Sequence, residues 1–112
     1  MQFLPLAPAA LHILLSLAAE PRHGYGVMQD VSRQSNGQYK LGPGTLYDNL
    51  QKLMDRGLVD ESRGPAADED QRRRYYELTP LGRRVLAADV ERLRAVVRDA
   101  ALRLKATTRG TP

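Results

Sequence analysis

The architecture turns on Gly42-Pro43-Gly44-Thr45-Leu46-Tyr47-Asp48-Asn49-Leu50-Gln51-Lys52-Leu53-Met54-Asp55-Arg56-Gly57-Leu58. Proline at a first helical turn loses nothing by lacking an N–H, and glycine just past a last turn supplies a left-handed cap. Between these signals Leu46, Leu50, Leu53 and Met54 form one apolar stripe, so Gly44 to about Arg56 reads as an amphipathic helix. With that stripe inward, a rotation of about 100° per residue turns Thr45, Asp48, Gln51 and Lys52 outward and leaves Tyr47 and Asn49 on the flanks. Such groups bond base edges and phosphates, but any solvated surface helix can carry them, so the use of this face depends on what surrounds it.

Downstream, Leu58 to Arg63 and Arg72 to Thr79 read as two strands of a hairpin. Gly64, Pro65 and the acidic run Asp68-Glu69-Asp70 lie between them. Thr79-Pro80 is a helix start, with threonine as N-cap and proline at the first position, and the helix it opens is expected to run to about Ala106. Upstream, Ala9 to Ala19 is apolar on nearly every side, interrupted only by His12 and Ser16. A helix of that kind needs cover on more than one face, and in a chain this small a partner subunit is a natural second cover. Gly24 to Ser35 reads as a short helix closing into the turn Ser35-Asn36-Gly37, and Tyr39-Lys40-Leu41 as a brief strand. Helix, helix, short strand, helix, hairpin, helix is the order of a winged helix-turn-helix, an α+β and mostly helical fold.

Length and composition narrow the function. A chain of 112 residues holds one modest core, and 42% apolar with 27% charged residues is a globular balance. The absence of cysteine removes disulfides, thiolate zinc sites and cysteine nucleophiles together. With only His12 and His23, no Ser/His/Asp arrangement or metal set is credible, and Gly42-Pro43-Gly44 lacks the Gly-Lys-Ser/Thr of a nucleotide loop. No enzyme, cofactor or metal is expected. No Lys or Arg precedes the Leu11–Ala19 run, which is too short to span a bilayer and is preceded by Pro5 and Pro8, so a buried helix of a cytoplasmic protein is the reading. The net charge of +4 suits a polyanionic partner, yet residues 43–79 carry eight acidic against six basic side chains. Motifs must therefore bear more of the case than total charge.

Several stretches together resemble PadR regulators. His23-Gly24-Tyr25-Gly26 is similar to their HGY motif, Pro43-Gly44-Thr45-Leu46-Tyr47 to the start of their recognition helix, and Gly57-Leu58-Val59 to its exit. Arg74-Tyr75-Tyr76-Glu77-Leu78-Thr79-Pro80-Leu81-Gly82 resembles their wing and its exit, so the match spans roughly residues 9 to 82. The resemblance implies a homodimer that represses by binding an operator, with the last helix packed near the partner's first helix, and it carries a reading role onto Thr45 and Tyr47. It implies the short form, since one helix alone follows the wing. The lack of tryptophan sets the chain apart from relatives with a drug-stacking pocket, and an inducer stays open.

The expected division is a winged helix-turn-helix over residues 1–79, a dimerisation helix over 80–106 and a flexible tail over 107–112. The expected DNA-facing set is His23, Tyr25, Lys40, Gly44, Thr45, Tyr47, Asn49, Gln51 and Lys52, with Arg63, Arg72, Arg73 and Arg74 on the wing. Leu86, Val90, Leu93, Val97, Ala100 and Leu104 follow a heptad seam that asks for a partner helix, with Leu11, His12 and Leu15 of the first helix as further dimer contacts. Two other readings use the same residues: a protein-interaction module built on the heptad helix, and a small-molecule sensor with its pocket between first and last helices. Either would make the DNA role secondary.

Overall fold

The computed structural model describes residues 2–64 and 74–110. The order is α1 (Pro8–Ala19), β1 (Arg22–His23), α2 (Gly24–Gln34), α3 (Pro43–Asp55), β2 (Val59–Ser62), β3 (Tyr75–Leu78) and α4 (Pro80–Gly110). The three strands form one antiparallel sheet in the order β1-β3-β2, with Arg22 opposite Tyr76 and Val59 opposite Leu78. A helix-turn-helix with a hairpin behind it is a winged helix, and the fold class read from the sequence holds.

The all-round apolar character of α1 is explained by its place at the centre. It packs against α2, α3, α4 and β3, burying Ile13, Leu14 and Leu17 against Val27, Val31, Leu46, Leu50, Leu58 and Val85. Burial of each such side chain contributes about 1.5–3 kcal/mol, so this one helix organises the core. Cover from its own chain is nearly complete, and Leu15 alone among its large apolar side chains is counted as exposed, at 38%.

Helix ends follow the local chemistry. At the α3 exit Gly57 adopts φ +76, its N–H bonds to Met54 O at 3.0 Å, and Leu58 N–H bonds to Leu53 O at 2.9 Å. This is a Schellman closure, with Leu58 and Leu53 both buried against it. The α2 exit repeats the device: Asn36 takes φ 54, and Gly37 N–H reaches Ser32 O at 2.7 Å.

Three expectations need correction. Tyr39-Lys40-Leu41 is not a strand: the Tyr39 N–H turns back to donate to the Ser35 hydroxyl at 2.9 Å instead of joining a ladder, and that hydroxyl shares its own proton among the carbonyls of Val31, Ser32 and Tyr39 at 3.0–3.3 Å. The third strand is Arg22–His23, too short for any alternation to show in the sequence. The wing strands are also shorter than expected: Arg63 and Arg74 lie just outside them, and Arg72 and Arg73 fall outside the described residues. The last helix continues to Gly110, past the expected end at Ala106.

The α4 start is locked to the α3 exit. Thr79 N–H bonds to Leu58 O at 3.1 Å, while its hydroxyl donates to Gly57 O at 2.7 Å and accepts from Gly82 N–H at 2.9 Å. Gly82 is required here, since a Cβ would run into the Leu58 carbonyl oxygen and lie 2.9 Å from Leu78 Cδ1. Gly82→Ala is expected to destabilise the chain by roughly 1–3 kcal/mol. At about 4–8 °C per kcal/mol for a domain of this size, melting followed by circular dichroism should show a clear drop, and an unchanged midpoint would contradict the packing.

Candidate nucleic-acid interface

The α3 helix presents its inner stripe, Leu46, Leu50 and Leu53, to the core and its opposite face to solvent. Thr45, Tyr47, Asp48, Gln51 and Lys52 are exposed, and Asn49 is half-buried. Several of these are engaged along the helix itself: Lys52 Nζ lies 3.1 Å from Asp48, Gln51 Nε2 donates to Asp55 at 2.9 Å, and Asn49 Nδ2 donates to Thr45 O at 2.8 Å. Exposed pairs of this kind exchange partners readily, being worth only a few tenths of a kcal/mol. Gly44 and Lys40, just before this face, are also exposed.

The N-terminus of α2 meets the flank of α3. His23 is its N-cap, its Nδ1 accepting from Gly26 N–H at 3.0 Å, and its ring stands edge-on to Tyr75 of the wing at 5.4 Å. Tyr47 lies over Gly24, where a Cβ would meet its ring with Cζ at 2.8 Å. The glycine of His23-Gly24-Tyr25 thus makes room for an aromatic of α3, and Tyr25 itself projects with 62% exposure. Of the expected wing residues, Arg63 is exposed and Arg74 extends with its guanidinium 3.7 Å from Glu61. Buried Tyr76 has its phenol pushed above the ordinary value, first by burial and then by Tyr47 and Glu61 nearby, so it stays neutral.

The expected dimer residues divide. Leu86 is spent on the chain's own core, Leu11 and Val90 pack partly against it, and Leu93 is half-buried. Val97 and Leu104 are exposed at 65% and 69%, Ala100 is open, and Val96 and Leu102 add to the uncovered apolar surface. Val90, Leu93 and Val97 floor a shallow groove bordered by Arg94 and Arg98. The 63 Å length of the molecule against a width of 30 Å comes from this helix running past the body. His12 is half-buried, stacked on Tyr39 at 4.5 Å with Nδ1 3.1 Å from Gln34 Oε1.

The profile described as the transcriptional regulator PadR-like family matches residues 13–88, from α1 into α4. The chain belongs to this family. Among curated proteins it is similar to "Transcriptional regulator Rv3488" of Mycobacterium tuberculosis, 37% identical over 94 residues that cover 83% of this chain and 82% of that one. Among solved structures it superposes on a PadR family transcription regulator from Clostridium difficile with TM-score 0.74 at 20% identity, covering 88% of this chain and 99% of that one. A transcriptional regulator from Clostridium thermocellum superposes with TM-score 0.71 at 22% identity, covering 83% and 86%. Those two likenesses concern the fold. No helix among the described residues is long and apolar enough to cross a membrane, and no group of metal-binding side chains occurs among them.

Within this PadR-like frame, sequence reasoning missed Arg22. Its side chain is 18% exposed and joins three elements: Nε donates to Ser16 O of α1 at 3.1 Å, and the terminal nitrogens lie 3.4 Å from Glu20 and 3.6 Å from Asp30 of α2. Asp30 also takes Arg33 at 2.9 Å. Burial works against its ionisation, but the hydrogen bond from Arg33 and the charges of Arg22 and Arg33 outweigh burial and hold its carboxyl below the ordinary value. The only sequence signal was an arginine beside Pro21 before a helix start.

An acid that ionises more easily folded than unfolded stabilises the fold above its ordinary value of 3.8, and that contribution is lost as pH falls through the lowered folded value. Asp30→Asn should therefore lower stability at neutral pH and weaken the acid-induced loss below about pH 4. Urea titrations at several pH values measure both, and identical acid profiles for the two proteins would contradict the arrangement.

Proposed function

We propose that this chain is a homodimeric, sequence-specific regulator of transcription that binds double-stranded DNA in the cytoplasm and represses by occupying a pseudo-palindromic operator. The observation that carries the reading is the open polar face of α3, held from behind by the α1 core and flanked by Tyr25 of α2. Hydroxyls, amides and an ammonium on a helix backed by a rigid body suit a major groove, and the helix N-terminus at Gly44 favours a phosphate. Arg63 and Arg74, together with Arg72 and Arg73, supply phosphate contacts from the wing.

A second chain is called for by the uncovered half of α4. Val97, Ala100 and Leu104 continue the seam begun by Leu93 where the chain's own body no longer covers the helix, and a partner's α4 covers them at heptad spacing. Leu15 of α1, also exposed, is a further candidate contact, with Leu11 and His12 of the same helix. An effector-responsive variant of the reading rests on the groove over Val90, Leu93 and Val97, whose apolar floor and arginine rims would suit an apolar anion.

Mobility-shift titrations at varied salt test the reading. The wild type should bind duplex DNA with an affinity falling steeply with salt, and replacing Arg63 and Arg74 by alanine should flatten the slope of log K against log salt by about one counterion each. Binding that survives with an unchanged slope would remove the wing from the interface. No binding to any duplex would remove the DNA-reading function itself.

A further inference from the structure

The side chain pointing most directly away from the core of α3 is an acid. Leu46, Leu50 and Leu53 are buried on one side, and at about 100° per residue the opposite line passes between Asp48 and Asp55, one heptad apart, with Gln51 and Lys52 to either side; Asp55 lies in the last turn, where Gln51 Nε2 donates to it at 2.9 Å. The Asp48 side chain is 64% exposed, in the first half of the helix, with Lys52 Nζ 3.1 Å away as its ion-pair partner. A carboxylate at the centre of a face that meets phosphates raises the free energy of every complex, whatever the DNA sequence.

We propose that Asp48 is a specificity-determining residue, its carboxylate accepting a hydrogen bond from the 4-amino group of a cytosine in the major groove. The proposal rests on α3 being the reader helix. Of the four bases, guanine offers O6 and N7 acceptors there and thymine O4 and a methyl group, all of which leave the carboxylate without a donor. The adenine amino donor stands between two acceptors, its own N7 and the paired thymine O4, that repel a second carboxylate oxygen, whereas the cytosine amino donor has an acceptor, the paired guanine O6, on one side only and a C5–H on the other. Lys52 is placed to move to a phosphate in the complex, freeing the carboxylate to face the base. Asp48 thereby penalises wrong sequences through repulsion and recovers the penalty only at a C·G pair.

Selection from randomised duplexes by the wild type, Asp48→Ala and Asp48→Asn tests this. The wild type should enrich one position per half-site for cytosine by roughly tenfold. Asp48→Ala should lose preference at that position alone, keep the rest of the motif and bind random DNA several-fold more tightly. Asp48→Asn should move the preference toward adenine, whose N6 and N7 match an amide. A motif unchanged at every position in Asp48→Ala would overturn the proposal and leave the acid as a helix-stabilising partner of Lys52. A wild type that enriches no motif would instead overturn the DNA-reading function on which it rests.

Discussion

The Thr79 junction fixes how the parts of this molecule stand to one another. One threonine holds the carbonyls of Gly57 and Leu58 at the α3 exit and caps the first turn of α4 through Gly82 N–H. The wing lies between those points in sequence, so the junction closes its base with β2 and β3 paired above it. Gly82 lets the helix approach the Leu58 carbonyl more closely than any side chain would allow. Three directions are set at once: α3 as it leaves the core, the wing as it rises, and the long helix as it departs.

That constraint gives the surfaces their joint meaning. An exposed polar helix face is common, and so is an apolar stripe on a protruding helix. Here the two are joined through a few well-packed residues, with α1 buried behind both. In the proposed dimer, the partner that covers Val97 and Leu104 also sets the position of its own α3, since α4 is bonded to the α3 exit through Thr79. On the opposite side, Arg22 ties α1 to α2 and forms the strand that pairs with β3, bracing the wing against the helix-turn-helix.

Much of this was legible in the sequence because its causes are local. Periodicity placed α3 through Leu46, Leu50 and Leu53, Gly57 announced its closure, and Thr79-Pro80 announced the next helix. The resemblance to PadR regulators rested on the same residues, and the glycines in it have physical reasons in the structure: Gly24 admits Tyr47 and Gly82 admits Leu58 O. What was illegible depends on contacts distant in sequence. A two-residue strand has no pattern of its own and exists because β3 is there to pair with it, while the Ser35 hydroxyl claims the Tyr39 backbone that looked extended. The role of Leu86 in the core was hidden because an intrachain stripe and an interchain seam share one spacing. The pairs Asp48–Lys52 and Gln51–Asp55 on the outer face of α3 lie at i,i+4 and could have been read from helical geometry.

In the proposed dimer the two α3 helices form one rigid unit, because each α4 is locked to its own α3 at Thr79 and the two α4 helices pair along their seam. Reader spacing should then match half-sites about one helical turn apart, near 34–36 Å. Binding should be measured to a selected palindrome and to the same palindrome with about half a helical turn, roughly five base pairs, inserted at its centre. The account predicts that the insertion reduces specific affinity to the level of random DNA, while a complex of equal affinity on both duplexes would contradict it.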